Sequence, residues 1–231
     1  MKINKIDLLI SNFEETVKFY KEKLQFKILL ASEHSVSFKV GESVLEFTKD
    51  TEEHNYYYHF AFNIPSNMFK EAKEWLSQRV VLLKEDGMDE VYFDGITQAN
   101  ACYFEDPAGN IVEYISRIKT SPTSNDDCFS SNNVLSISEI GLSTNHIMEY
   151  AAEIKSLGIP VRCNDEILYD LNLNFMGEYD DGAFIILGPL GRRWFFSTKD
   201  SISSPVTIHT CRGVISNRTL IGELEEGGDI L

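Results

Sequence analysis

Residues 104–113 read Phe-Glu-Asp-Pro-Ala-Gly-Asn-Ile-Val-Glu, and this stretch decides the predicted fold. Apolar, β-rich residues stand on both sides of Asp-Pro-Ala-Gly-Asn, whose proline and glycine favour a tight turn. We therefore predict two strands, at 100–105 and 110–116, joined by a turn. Glu113 is unusual because it lies inside an apolar run, where a carboxylate without partners is costly.

The same order of elements occurs twice before residue 118. The first copy is a strand, an amphipathic helix and three strands, predicted at 3–10, 13–24, 26–31, 35–40 and 43–48. The second copy repeats this order, with a helix at 67–79 and strands at 57–64, 80–84, 90–94, 100–105 and 110–116. The repeat predicts two β-α-β-β-β units.

A third, weaker copy begins at 134–143. A helix carrying Ile147, Ala151 and Ile154 follows, with strands predicted at 159–163, 171–178, 183–187, 193–197 and 205–211. Any fourth copy is reduced to residues 193–212. The stretch 119–132 is rich in Ser, Asn and Asp and predicts a linker. We therefore predict a two-unit domain at 1–118, a degenerate domain at 133–221 and an acidic tail at 222–231.

Charged residues occupy matching places in the copies. Glu46 and Glu113 each lie inside the apolar last strand of a unit, and Lys5 and His59 lie in the first strands. Two units packed together would bring these four side chains near one another. In the third copy, Glu139 corresponds to Lys5 and Ile186 to Glu113. We therefore expect that domain to have lost any metal site and to be structural or substrate-enclosing.

Residues 1–118 resemble the vicinal oxygen chelate superfamily of glyoxalases, bleomycin-resistance proteins and extradiol dioxygenases. Three segments carry the resemblance: 10–20, the strand that begins at His59, and 104–113, which matches the signature Asp-Pro-x-Gly-Asn-x-x-Glu. The resemblance implies an α+β fold in which βαβββ units form curled mixed sheets. It also implies metal ligands from the first and last strands of each unit. Here these are Glu46, His59 and Glu113, with Glu113 as the candidate catalytic base.

Lys5 departs from the glyoxalase pattern because an ammonium group cannot donate a lone pair to a metal. Two alternatives stay open: Lys5 pairs with Glu46 or Glu113 in a metal-free site, or it points away and leaves three ligands. One His and two carboxylates would suit Mn, Fe, Ni or Zn. A ring-cleaving dioxygenase needs two His, and this counts against ring cleavage.

The expected function is that of a divalent-metal-dependent enzyme acting on a small molecule with adjacent oxygens. The reaction would be of lyase, isomerase or dioxygenase type. The alternative is a metal-free protein that binds or sequesters a small molecule, as bleomycin-resistance proteins do. A structural or regulatory module is the third possibility.

The composition and charge of the chain limit the classes of binding partner that we expect. The chain has 231 residues and a formal net charge of −15, which disfavours nucleic acid and anionic membrane surfaces. No apolar run approaches the ~20 residues of a membrane span, and the N-terminus lacks a signal-peptide pattern. The four scattered cysteines are typical of reduced thiols. We expect a cytoplasmic protein with a small-molecule substrate, and a homodimer is a candidate assembly.

One further motif lies at 188–193, where glycines and a proline precede Arg192 and Arg193. The segment lacks nucleotide-binding spacing and predicts a turn. An alternative role for the two arginines is to bind an anionic group of the substrate.

Overall fold

A computed structural model of the chain describes residues 1–170 and 172–218. The predicted tail at 222–231 lies outside these residues. Within the described part, the strands are β1 (Ile3–Ile10), β2 (Lys27–Ala31), β3 (Ser35–Val40), β4 (Ser43–Lys49), β5 (His59–Ile64), β6 (Val91–Phe93), β7 (Ala99–Glu105), β8 (Ile111–Arg117), β9 (Ser136–Ser143), β10 (Asn174–Met176), β11 (Phe184–Gly188), β12 (Val206–Thr210) and β13 (Gly213–Ser216). The α-helices are α1 (Phe13–Lys18), which continues as a π-helical segment over Phe19–Lys23, α2 (Phe69–Ser77) and α3 (Ile147–Ser156). No helix in the described ranges is long and apolar enough to cross a membrane.

The thirteen strands of the described residues form one mixed sheet with two parts. Half-sheet A has the order β2-β3-β4-β1-β12-β13, and half-sheet B has the order β6-β7-β8-β5-β9-β11-β10. The two parts meet where Ile3 of β1 pairs with Ile137 of β9. In each part, the first and last strands of a unit pair in parallel, as β1 with β4, β5 with β8 and β9 with β11. The predicted α+β fold of βαβββ repeats is confirmed.

The repeat predicts that units one and two pack against each other, but the structure pairs the units differently. β5 pairs in antiparallel fashion with β9, and β1 pairs in antiparallel fashion with β12. Unit two therefore faces unit three, and unit one faces the short fourth unit. Each half-sheet combines strands from both sides of residues 119–132. The division into two domains at that segment stays a prediction.

The helices cover one face of the sheet and leave the other face for the site. The buried helical residues follow the predicted periodicity: Phe13, Tyr20, Leu24, Phe69, Ala72, Leu76, Ile147, Ala151 and Ile154. On β5, Phe60 and Phe62 join this main core, whereas Ala61 packs in a second cluster with Trp194 and Phe196. Because alternate strand residues point to opposite faces, His59 lies on the same face as Ala61, away from the helices.

The turn at 106–110 is a structural junction. Asp106 is buried, and its carboxylate accepts hydrogen bonds from the backbone N–H groups of Ala108 and Asn110, each at 3.0 Å. It also accepts from the Tyr20 hydroxyl at 2.9 Å and from the Asn110 side chain at 2.8 Å. Gly109 has a φ of +82°, which a side chain would strain. The signature sequence therefore ties β7 and β8 to the first helix.

Three predicted strands do not form in the described residues. Residues 80–84 make only an isolated bridge from Leu82 to Phe104, while β6 pairs with the first three residues of β7. The predicted strand at 159–163 gives way to a short 3₁₀ turn at Arg162–Asn164. The predicted strand at 193–197 is a loop in which Phe196 has a φ of +58°. β13, which was not predicted, completes the hairpin with β12.

Candidate metal centre

Strand register brings three ionisable side chains to one face of half-sheet B. Ala61 on β5 pairs with Glu113 on β8 and with Glu139 on β9, and His59 precedes Ala61 by two residues. The three strands are neighbours in the order β8-β5-β9. His59, Glu113 and Glu139 therefore project from adjacent strands, about 4.8 Å apart in the sheet.

These three side chains form a compact buried cluster. Potential ligand atoms of His59, Glu113 and Glu139 all lie within 4.8 Å of one another. Nε2 of His59 is 3.6 Å from Oε2 of Glu113 and 3.8 Å from Oε2 of Glu139. Each of the three residues is at most 6% exposed. One nitrogen and carboxylate oxygens at this spacing can surround a single divalent ion.

The ring of His59 is oriented for this role. Its Nδ1 lies 3.1 Å from the carbonyl oxygen of Ile111, a contact in which the nitrogen donates. Nε2 is then the ring nitrogen that faces the two carboxylates, and in the neutral imidazole it carries the lone pair that a metal would use. The indole of Trp194 packs against the ring, with centroids 4.9 Å apart. Gly141 makes room for this indole, because a Cβ atom there would lie 2.8 Å from it.

The two carboxylates have opposite electrostatic environments. Burial, together with the nearby charge of Glu139, raises the pKa of Glu113 well above its ordinary value. Oε1 of Glu113 is buried and has no hydrogen-bond partner among the described residues. Burial also acts to raise the pKa of Glu139, but bonding to His59 and the charge of Arg117 outweigh it and lower that pKa. The charge of Arg117 and a hydrogen bond to Tyr103 act to lower the pKa of Glu113, but they do not offset its burial and the charge of Glu139.

Arg117 is the buried cation of the site. Its Nη2 donates to Oε1 of Glu139 and to Oγ of Ser138, the latter at 3.3 Å. Oγ of Ser138 in turn donates to the carbonyl oxygen of Gly182 at 2.9 Å. This chain of contacts fixes one oxygen of Glu139 and leaves the other directed at His59.

A cavity of about 450 Å³ opens on the cluster. Its wall includes His59, Glu113 and Glu139, together with five aromatic side chains and three arginines. The aromatic residues are Phe93, Tyr103, Phe175, Trp194 and Phe195, and the arginines are Arg117, Arg162 and Arg192. A concave, largely aromatic site with a few convergent polar groups is typical of small-molecule binding.

Comparison with known proteins identifies the family. A family model described as the glyoxalase/bleomycin resistance protein/dioxygenase superfamily matches residues 2–114. Metallothiol transferase FosB from Staphylococcus haemolyticus is 31% identical over 116 residues, which make up 48% of this chain and 80% of FosB. The chain belongs to this superfamily. FosB from Staphylococcus saprophyticus is 29% identical over 116 residues, covering 48% of this chain and 74% of that protein.

Two further similarities concern the part of the chain beyond residue 118. Glyoxalase I from Zea mays is 14% identical, has a TM-score of 0.53 and matches 99% of this chain and 97% of its own length. This likeness concerns the fold, and it spans both half-sheets. A family model described as toxoflavin-degrading enzyme matches residues 137–192. The third unit is therefore similar in sequence to a described protein family.

Half-sheet A holds the remaining residues of the predicted site. Glu46 does not join His59 and Glu113 in the ligand cluster of the described residues, and its Oε1 instead accepts from Lys5 at 2.8 Å. The predicted juxtaposition of all four side chains therefore fails. Its cause is the unit pairing, since β1 faces β12 and β5 faces β9. Lys5 takes the first of its two predicted alternatives, an ion pair with Glu46.

Sequence reasoning missed Glu139, although the signal for it was present. The register pairs Glu139 with Phe184 and Gly141 with Ile186, as it pairs His59 with Ile111 and Ala61 with Glu113. Glu139 thus stands at the repeat position of Lys5 and His59, as the sequence alignment of the copies indicated. The expectation that the third unit had lost any metal site did not foresee that Glu139 lies in the candidate cluster. Ile186, at the position of Glu113, lines the cavity as an apolar residue.

The two arginines of the 188–193 motif separate in the structure. Arg192 lines the cavity, and its Nη1 donates to the carbonyl oxygen of Arg193 at 3.1 Å. Arg193 instead makes a two-pronged ion pair with Glu85, at 3.0 Å and 2.5 Å. This ion pair and the bond from Lys199 to Glu105 at 2.7 Å fasten the loop after β11 over half-sheet B.

Proposed function

We propose that this protein is a divalent-metal-dependent enzyme whose metal ligands are His59, Glu113 and Glu139. One observation carries the proposal. Nε2 of His59 and Oε1 of Glu113, which has no hydrogen-bond partner among the described residues, converge with Glu139 on the wall of a cavity. Buried charged groups of this kind require a partner, and a cation is the partner that all three accept.

The donor set fits a metal of intermediate hardness. Imidazole and carboxylate ligands suit Mn, Fe, Ni or Zn, and the described cluster contains no thiolate that would favour a soft ion. Three protein ligands leave coordination positions for substrate or water, as catalytic sites require. A bound ion would supply Lewis-acid polarisation to a substrate that presents adjacent oxygens.

The protein's own groups then divide the remaining work. We assign the catalytic base to Glu113, whose Oε1 has no protein donor and can accept a proton from the substrate. Arg117 acts as a positioning residue, because it holds Glu139 in place. Trp194 and Phe195 form the cavity wall on the loop after β11 and limit the access of water.

The substrate proposed is a flat aromatic or heteroaromatic molecule. Five aromatic side chains line the cavity, and such walls favour stacking against planar rings. The family model for a toxoflavin-degrading enzyme covers the part of the chain that supplies Glu139, Phe175 and Ile186. Toxoflavin is therefore the first compound to test, followed by catechols, which present adjacent oxygens. The cytoplasmic location and the homodimer stay predictions.

A metal-free binding protein is the competing proposal. It is favoured by the Arg117–Glu139 ion pair, which already compensates one of the three ligands without an ion. In that case Glu113 would be protonated and the cavity would bind its ligand by stacking and hydrogen bonds. The two proposals differ in metal content, which can be measured directly.

The decisive experiment is elemental analysis of protein purified without chelator. We expect about one ion per chain from three converging ligands, and loss of that ion in His59→Ala. His209→Ala is the matched control, because His209 lies opposite Lys5 in half-sheet A. Consumption of toxoflavin is then followed by absorbance after reconstitution with Mn, Fe, Ni or Zn. A wild-type protein that binds none of these ions, or a His59→Ala variant that keeps its ion, would refute the proposed centre.

A further inference from the structure

Arg162 lies on the cavity wall at the 3₁₀ turn that follows α3. Its guanidinium carbon is 4.1 Å from the ring centroid of Phe175 and 5.7 Å from that of Phe184. These cation–π contacts hold the planar group in a fixed position beside the cavity. The residue is half-buried, so the position is shielded from bulk solvent on one side only.

The guanidinium of Arg162 differs from those of the other two arginines of the cavity. Arg117 is paired with Glu139, and Arg192 donates to a backbone carbonyl. Across residues 1–170 and 172–218, the side chain of Arg162 has neither an ion pair nor a hydrogen bond, and stacking satisfies none of its five N–H donors. An arginine that is held in place but lacks acceptors is suited to receive them from a ligand.

We propose that Arg162 binds an anionic group of the substrate, such as a carboxylate or phosphate. This inference rests on the proposed function in one respect, namely that the cavity is the substrate site. A fixed guanidinium matches the two oxygens of such a group through parallel N–H···O bonds. Because the chain carries a net charge of −15, its overall field repels anions. Any preference for an anionic substrate must therefore come from local cations in the cavity.

The inferred substrate has two recognition elements, so a catechol with an acidic group fits the site better than toxoflavin, which carries no carboxylate or phosphate. Its adjacent oxygens lie toward His59, Glu113 and Glu139, and its anionic group lies toward Arg162, with the ring between the aromatic walls. The aromatic residues would bind flat molecules regardless of their charge, and Arg162 would favour those that carry an anionic group. It is a specificity-determining residue and takes no part in proton transfer.

The test uses two probes that differ only in charge. 3,4-Dihydroxybenzoate and 3,4-dihydroxybenzamide both present a flat ring and adjacent oxygens, but only the first carries a carboxylate. By calorimetry, we expect the wild-type protein to bind the benzoate roughly tenfold more tightly, as one charge-assisted contact allows. Arg162→Met should abolish the preference and leave the affinity for the benzamide unchanged. Arg162→Lys should keep part of it.

Arg79→Met is the matched control, because Arg79 stacks on Trp75 at the same 4.1 Å distance but does not line the cavity. It should keep the wild-type preference. Equal binding of the two probes by wild-type protein, binding of neither, or an unchanged preference in Arg162→Met would overturn the proposal. Metal content separates this result from the proposed function. A metal-free wild-type protein that still prefers the benzoate refutes the metal centre and supports the role of Arg162.

Discussion

Half-sheets A and B carry ionisable residues at equivalent positions, but these residues differ in their burial and in their partners. In half-sheet A, Lys5 and Glu46 form an ion pair whose side chains are 29% and 22% exposed. In half-sheet B, His59 and Glu113 occupy the same register positions, and their side chains, which are 7% and 3% exposed, face a cavity. Lys5 and Glu46 neutralise each other and leave no group for a ligand. With a neutral imidazole, His59 does not form such an ion pair with Glu113, and the cavity beside them has room for a ligand.

The facing unit accounts for the difference. In half-sheet B, β9 places Glu139 opposite Ala61, and in half-sheet A, β12 places Thr207 opposite Asp7. Asp7 itself accepts from Arg218 and Thr48, at 2.8 Å and 2.9 Å. At these positions of half-sheet A, the described structure therefore pairs Lys5 with Glu46 and Asp7 with Arg218. Half-sheet B has a third carboxylate and an unpartnered carboxyl oxygen.

The largest effect is expected from a comparison of Glu113 with Glu46, which occupy equivalent positions in the two half-sheets. Glu113→Gln should remove nearly all bound metal and activity, because an amide is a much weaker ligand than a carboxylate. Glu46→Gln, at the same register position in half-sheet A, should leave metal content unchanged. Elemental analysis and the toxoflavin assay measure both variants. Equal metal loss in the two would show that the half-sheets share one centre.

The next effect concerns the two ion pairs. Arg117→Met leaves the buried charge of Glu139 without its partner and should lower the free energy of unfolding by about 3–5 kcal/mol. Lys5→Met breaks the partly exposed pair with Glu46 and should cost about 1 kcal/mol or less. Urea unfolding in the presence of EDTA gives both values. Similar costs for the two variants would contradict the difference in burial between the half-sheets.

A smaller effect is expected at the turns that precede the last strands of the units. Asp106→Ala leaves two buried backbone N–H groups, the Tyr20 hydroxyl and the Asn110 amide without their acceptor. The free energy of unfolding should fall by about 3 kcal/mol. Glu42→Ala, at the exposed turn before β4, should change it by about 0.5 kcal/mol or less. Urea unfolding checks the pair, and a near-neutral Asp106→Ala would mean that water replaces the lost acceptor.

The smallest expected effect comes from a variant that adds a fourth candidate metal ligand to half-sheet B. Ile186→Glu places a carboxylate at the third unit's equivalent of Glu113, and it should cost about 2 kcal/mol in EDTA because the new group is buried. Added metal should recover the loss, as seen in the melting temperature. Ile185→Glu points into the main core and should show no such recovery. If metal rescues neither variant, Ile186 does not face the ion.

Much of the fold and two of the three ligands of the candidate centre could be predicted from residues that act locally. The turn at 106–110 and the helix faces follow from proline, glycine and apolar periodicity. His59 and Glu113 were recognisable because each is a polar residue inside an apolar strand. The strands predicted at 80–84, 159–163 and 193–197 failed because apolar content alone does not provide a free sheet edge. Arg117 and Arg162 gave no local signal, since their roles depend on contacts with β9 and with Phe175.

The amino-acid sequence alone indicates the order of strands and helices in the repeated units and the equivalence of Lys5, His59 and Glu139. Only the tertiary structure decided which units face each other. Strand edges offer the same backbone donors and acceptors to any antiparallel neighbour, so β5 could pair with β1 or with β9 on hydrogen bonding alone. The packing of the whole sheet selects β9. That selection places Glu139 beside His59 and Glu113 and leaves Glu46 paired with Lys5.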